Sequence, residues 1–223
     1  MTSTTTIAGE QIELHPERAA YWPRRNTLLI ADPHFAKAAS FRNLGVFVPK
    51  GTTEYALQTL DTLIARTRSE RIIFLGDFLH AREGRNADTF NAIAEWRAAH
   101  RDVEMQIVRG NHDKRAGDPP DAVGIGCVDG PILEPPFALT HHPVVVADYY
   151  ALAGHLHPRA LLTGRARQWE RLPCFWFRHD VGILPAFGDF TGGVDVEPAA
   201  GEAVWVVSDD GVIPVAMSTE VSP

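Results

Sequence analysis

Arg71-Ile-Ile-Phe-Leu-Gly-Asp77 is the stretch on which the fold turns. Its short apolar run, bounded by Gly76, reads as a buried strand that ends on an acid. Two other runs are built alike. Thr27-Leu-Leu-Ile-Ala31 stops at Asp32, and Val103-Glu-Met-Gln-Ile-Val108 stops just before Gly110-Asn111. Between the first two runs, residues 52–68 carry Leu57, Leu60, Ile64 and Thr67 at helical spacing, with Leu63 widening the stripe. Thr52 or Thr53 is the candidate cap. Between the next two, residues 88–100 set Phe90, Ile93, Ala94 and Arg97 on one face, with Trp96 beside it. Strand, helix, strand, helix, strand predicts parallel strands joined by crossover helices.

Beyond residue 115 glycine and proline become frequent and the helical period is lost. Short runs at 136–140, 151–154, 160–163, 173–177, 204–207 and 212–216 predict short strands, mostly antiparallel. No internal repeat and no low-complexity linker breaks the chain. One domain spanning residues 1–223 is expected, an α/β fold of two packed sheets with flanking helices. Only the Ser/Thr-rich start and the polar tail point away from order.

At 45% hydrophobic residues the chain has enough apolar material for a sizeable core. Its net charge of -7 argues against a broad surface that binds nucleic acid by neutralising phosphates. Bound divalent cations would reverse that field locally. Cys127 and Cys174 form no CxxC pair and read as idle thiols of a reducing compartment. The first nine residues lack a basic segment followed by an apolar run. No stretch of about 18 apolar residues exists to span a membrane. A cytoplasmic location with no membrane partner is expected.

The chemistry sits where the strands stop. Asp32 and His34 lie two apart, so an extended segment would point both side chains one way. Asp77 follows Gly76, and Asn111 and His112 follow Gly110; glycine permits a tight turn and close approach. Ligands at the carboxyl ends of adjacent parallel strands converge on one crevice. Gly154-His-Leu-His157 adds two imidazoles that suit a metal. Each motif alone has a bland reading: a lone Gly-Asp is usually a turn, and a His beside Asn is usually a solvated loop residue. Their order and their shared position at strand ends give the joint signal.

The blocks D-x-H, G-D, G-N-H-D, H and G-H-x-H, spread over residues 32–157, resemble the calcineurin-like metallophosphoesterases. The resemblance implies a four-layer fold, with two packed mixed β-sheets flanked by helices. It implies that Asp32, His34, Asp77 and His157 hold one metal, and Asp77, Asn111, His141 and His155 the other. Asp77 would bridge the two. His141 and His142 compete for one position; sites of the form His-His-Pro use the first, which selects His141. Oxygen and imidazole donors without thiolate suit manganese, iron or zinc better than copper; the family analogy points to manganese. A hydroxide held between the two ions would attack phosphorus in line. His112 would protonate the leaving oxygen. Asp113 would orient His112, or serve only as a loop carboxylate. Lys37 and Arg82 are candidates for substrate phosphate or are plain solvated charges. His80 either faces the site or is structural. Trp169, Phe175 and Trp176 read as packing residues rather than a base-stacking platform.

Over residues 11–195 the chain is also similar to a bacterial subgroup, the ligase-associated DNA damage response endonucleases. The segments are Pro16-Glu-Arg-Ala-Ala-Tyr-Trp-Pro23, Lys37-Ala-Ala39, Val48-Pro-Lys-Gly-Thr-Thr53, Leu75-Gly-Asp-Phe-Leu-His-Ala-Arg82, Gly154-His-Leu-His-Pro158, Arg171-Leu-Pro-Cys-Phe-Trp176 and Leu184-Pro-Ala-Phe-Gly-Asp-Phe-Thr-Gly-Gly193. Pro33 replaces the subgroup's usual Leu, and Ala36 its frequent Gly. This resemblance implies a manganese-dependent phosphodiesterase or endonuclease acting on DNA. A DNA ligase, an exonuclease-like protein and a helicase would be its functional partners. A small-molecule phosphoesterase, for cyclic nucleotides or a nucleotide-sugar lipid precursor, is the alternative that the acidic charge favours. A non-catalytic scaffold is disfavoured, because no ligand of the pattern is lost.

Overall fold

The computed structural model describes residues 1–38, 41, 45, 51–82, 85–163, 169–189 and 191–215. Parts of the segments beginning at Lys37, Val48 and Leu184, Ala216 of the last expected run, and the polar tail lie outside the described residues.

The chain starts with strands that carry little apolar signal. β1 (Ser3–Ile7), β2 (Glu10–His15) and β3 (Ala19–Trp22) form an antiparallel meander. The Ser/Thr-rich start is therefore a strand, contrary to expectation. Its threonines favour extended backbone. The Met1 ammonium donates to the Asp210 carbonyl at 2.8 Å, and the Ser3 hydroxyl to that of Val212 at 2.7 Å.

The expected parallel unit follows: β4 (Thr27–Ile30), α1 (Thr52–Thr67), β5 (Arg71–Phe74), α2 (Ala87–Ala99), β6 (Glu104–Val108), the short α3 (Asn111–Ala116) and β7 (Gly126–Val128). β4 through β7 pair in parallel, and the seven strands lie in chain order. Neither Thr52 nor Thr53 caps α1. Gly51, at φ 84°, precedes it with no side-chain cap, and the Thr53 hydroxyl instead accepts the Ala36 N–H at 3.3 Å. α2 is capped by Asn86, whose Oδ1 accepts the Thr89 N–H at 2.8 Å. Leu57, Leu60 and Leu63 of α1, with Ile93 and Trp96 of α2, pack on Leu28, Ile30, Ile72, Phe74 and Ile107.

The second sheet comprises β8 (Ile132–Glu134), β9 (Phe137–Leu139), β10 (Tyr150–Ala153), β11 (Arg159–Thr163), β12 (Trp169–Phe177), β13 (Val181–Ile183), β14 (Ala203–Ser208) and β15 (Gly211–Val215). Its order is β15-β14-β12-β13-β10-β9-β8, with β11 paired to β12. Most pairs are antiparallel, as expected, but β9, β10 and β13 run parallel at its centre. The β9–β10 crossover is a loop without a helix, so no helical period betrays it.

The two sheets face each other through Trp22, Leu29, Ile73 and Leu75 on one side and Phe137, Leu139, Leu152 and Phe175 on the other. Trp22 and Phe137 meet edge to face at 4.9 Å. Helices flank the first sheet only: among the described residues no α-helix follows Ala116. Val146 and Leu156 pack on Ala151, Ala153, Val181 and Ile183. Phe175 is core, Trp176 is partly buried, and Trp169, 65% exposed, packs at the surface under the Arg171 guanidinium, 5.0 Å from its ring. No described helix is long and apolar enough to cross a membrane.

Candidate metal centre

Both sheets end on the same crevice. Asp32, Asp77 and Asn111 stand just past β4, β5 and β6; His141 and His155 stand just past β9 and β10. The backbone there is unusual. Asp32 (φ 48°), His34 (46°), Asp77 (50°), His155 (71°) and His157 (48°) all occupy the left-handed region. Non-glycine residues pay on the order of 1–3 kcal/mol each for this, and such strain gathers at functional sites. The shared direction of Asp32 and His34 thus comes from left-handed turns, not from an extended segment. The His34 N–H donates to the Asp77 carbonyl at 3.0 Å, tying the first loop to the second.

The motif glycines make room for ligands of other motifs. A Cβ on Gly76, itself at φ 81°, would strike the His141 ring. One on Gly110 would strike Asp77, and one on Gly154 would strike Asp32.

Asp32 is 0% exposed, Asp77 2% and His141 1%. His141 donates from Nδ1 to the Leu75 carbonyl at 2.9 Å, so its Nε2 carries a lone pair. That lone pair faces Asn111 Oδ1 at 3.1 Å, His155 Nδ1 at 3.2 Å and Asp77 Oδ1 at 3.4 Å. His157 donates from Nδ1 to the Gly192 carbonyl at 3.0 Å, leaving its Nε2 to face His34 Nε2 at 3.4 Å and Asp32 Oδ1 at 3.7 Å. Asp32 Oδ1 is buried with no hydrogen bond. Burial pushes the His141 imidazole down to about 4 and lowers His34 further, while it raises the Asp77 carboxyl. Acceptors turned on acceptors in a buried space lack the positive charge they require. A metal cation would satisfy them. Asp32, His34 and His157 bring ligand atoms within 4.8 Å of one another, and so do Asp32, Asp77 and His141.

Asp77 spans the centre. Its Oδ1 lies on the His141 side, and its Oδ2 lies 3.9 Å from His34 Nε2 and from His112 Nε2. His142 is exposed, yet it brings a ring nitrogen within 4.8 Å of those of His141 and His155, its ring 4.4 Å from that of His155. His141 is the member that meets Asp77 and Asn111.

Among solved structures, a Pseudomonas putida nuclease, MPE, superposes with a TM-score of 0.85 at 40% sequence identity, over 96% of this chain and 100% of that one. This chain belongs to the calcineurin-like metallophosphoesterases. It is an enzyme of that class. An Aquifex aeolicus protein of unknown function, AQ665 (18% identity, TM-score 0.42, 59% of this chain and 78% of that one), and the Escherichia coli phosphoesterase Yfce (16%, 0.39, 82% and 88%) align too loosely to carry an argument. No family model and no curated protein matches the chain.

Around the metal cluster of this metallophosphoesterase stands His112, partly exposed. Its Nδ1 donates to the His80 carbonyl at 2.6 Å, and its backbone N–H to Asp77 Oδ1 at 2.9 Å. The His80 ring stacks on it at 5.1 Å, and His34, His80 and His112 bring ring nitrogens within 4.8 Å of one another. His80 therefore faces the site. Asp113 does not orient His112. It accepts the N–H groups of Gly110 at 2.9 Å and Leu79 at 3.2 Å, joining two metal loops. Burial lifts its carboxyl to about 6 against the pull of those bonds. Lys37 is half-buried, and its ammonium lies 5.8 Å from the Phe41 ring. Burial lowers its pKa despite the attraction of Asp32 and Asp77. Arg82 is exposed, its Nε on the Arg115 carbonyl at 2.8 Å. The carbonyls of Leu75, His80 and Gly192, which set three ring tautomers, had no signal in the sequence.

Proposed function

We propose that the whole chain is one phosphodiesterase domain that holds two divalent cations and cleaves DNA. The observation that carries this is Asp77, whose two oxygens face two different sets of ring nitrogens, Oδ1 toward His141 and Oδ2 toward His34. Asp32, His34, Asp77 and His157 would hold one ion; Asp77, Asn111, His141 and His155 would hold the other. When bound, the ions supply charge to neutralise the phosphoryl oxygens and acidify the attacking water. The donor set fits manganese, with iron and zinc as alternatives.

His112 is the general acid. The His80 carbonyl keeps Nδ1 protonated, so the ring releases its other proton from Nε2, toward the leaving oxygen. His80 holds that ring by stacking. Lys37 binds phosphate, for which its burial beside His34 is the support. Arg82 is assigned to the substrate's flank on sequence position alone. The nuclease activity named for the Pseudomonas putida protein supports nucleic acid as substrate. A repair role beside a DNA ligase, an exonuclease-like protein and a helicase rests on sequence resemblance. The free thiols Cys127 and Cys174 fit a cytoplasmic location.

The test is a panel of single-stranded DNA, duplex DNA, RNA, cyclic nucleotides and monoesters, each with manganese, iron or zinc. Cleavage of DNA with manganese is expected. Turnover of a small ester with no cleavage of any DNA form would displace this reading.

A further inference from the structure

A cavity of about 190 Å³ opens beside the metal cluster, with His34 in its wall. An apolar cavity of about 150 Å³ holds benzene, whereas sites for drug-sized ligands begin near 300 Å³. The space therefore suits one flat ring system and is too small for a nucleotide. Phe35, Pro33 and Phe187 supply apolar wall. One stripe of α1, with Thr52, Tyr55 and Thr59 spaced three or four apart, supplies the opposite side. Tyr55 is 63% exposed, a large aromatic that the core does not use.

Among the described residues, Glu17, Arg18 and Asp189 of this wall are all held in ion pairs. Arg18 pairs with Asp189 at 3.1 Å, and Glu17 with Arg66 at 2.6 Å. Lys37, also in the wall, makes no ion pair among the described residues. A slot of ring size, with Pro33, Phe35, Tyr55 and Phe187 and the Lys37 ammonium in its wall, opening onto the crevice, matches a ring joined to a phosphate.

We propose that this cavity takes the nucleobase flanking the scissile phosphate, with Lys37 on the adjoining phosphodiester. The proposal rests on the phosphodiesterase reading and adds a subsite to it.

The experiment is calorimetry in the presence of manganese with three probes: thymidine 5′-monophosphate, phenyl phosphate and inorganic phosphate. The nucleotide should bind at least tenfold more tightly than inorganic phosphate, and more tightly than phenyl phosphate. Thr59→Trp, which fills the slot, should shrink the nucleotide-to-phosphate ratio toward one. Tyr55→Ala should lower the same ratio at a position too exposed to threaten folding. A ratio near one in the wild type, or a ratio unmoved by both substitutions, overturns the subsite. Equal binding of phenyl phosphate overturns the assignment to a nucleobase. Hydrolysis of bis-p-nitrophenyl phosphate, measured alongside, separates the two readings. Turnover with no nucleotide preference sinks the subsite alone; preference with no turnover of any diester sinks the phosphodiesterase reading alone.

Discussion

The first sheet brings Asp32, Asp77 and Asn111 to the crevice, whereas the second brings only imidazoles: His141, His155 and His157. His34, in the loop of Asp32, is the first sheet's one imidazole among the proposed ligands. Both sheets use the same device, parallel strands ending side by side, yet they deliver different chemistry. Carboxylates carry the negative charge that holds a divalent cation; neutral imidazoles set its geometry. Removing charge from the first sheet should therefore cost more than removing a ring from the second.

Asp77→Asn gives the largest effect, because Asn keeps the shape but loses the charge shared by two groups of ligands. We expect turnover of bis-p-nitrophenyl phosphate to fall about a thousandfold, roughly 4 kcal/mol, with bound metal below that of the wild type. Elemental analysis and kinetics together read this. If His157→Ala cost as much in both, the division of labour between the sheets would be wrong. His112→Asn comes next, with a loss of about a hundredfold or more in turnover and full metal content. The loss should be smaller for p-nitrophenolate, a good leaving group, than for DNA. An equal loss on both substrates would remove His112 from the role of acid.

A sharper test lies within the second sheet. His141→Ala should lower metal affinity about 10- to 100-fold, and Gly76→Ala should act in the same direction by displacing the His141 ring. His142→Ala, at the exposed neighbour, should change affinity far less. Metal titration of the three variants ranks them, and a larger effect from His142 would reverse the assignment.

The same contrast between the sheets governs what the sequence revealed. The β4–α1–β5–α2–β6 unit was legible because buried strands alternated with helices whose leucines kept their period. β1 was not, since threonines that pair with β2 carry no apolar pattern. The parallel centre of the second sheet was not, since β9 reaches β10 through a loop rather than a helix. At the site, the side chains were legible and their supports were not. Asp113 was open between orienting His112 and serving as a loop carboxylate; its oxygens go to the amides of Gly110 and Leu79, which selects the loop role. Backbone groups have no letter in a sequence, and left-handed turns at Asp32 and His34 have no residue type that announces them.

A last test, read in stability rather than in turnover or metal affinity, separates the proposed ligand histidines from a buried one outside the centre. His15 ends β2 of the first sheet, 2% exposed, with Arg66 Nη2 donating to its Nδ1 at 3.0 Å. Burial first, and then the Arg66 charge, push it from 6.5 down to about 4. Between those values the unfolded chain binds the proton and the folded chain does not. Its contribution is therefore whole above pH ~6.5 and drains away as pH falls toward ~4. The difference in unfolding free energy between wild type and His15→Gln should shrink by about 3 kcal/mol across that window. Denaturant melts at fixed metal concentration measure it, and comparing the two proteins cancels the protonation of the ligand histidines. A difference that stays flat from pH 7 to pH 4 would place the acid sensitivity of the fold in the metal centre alone.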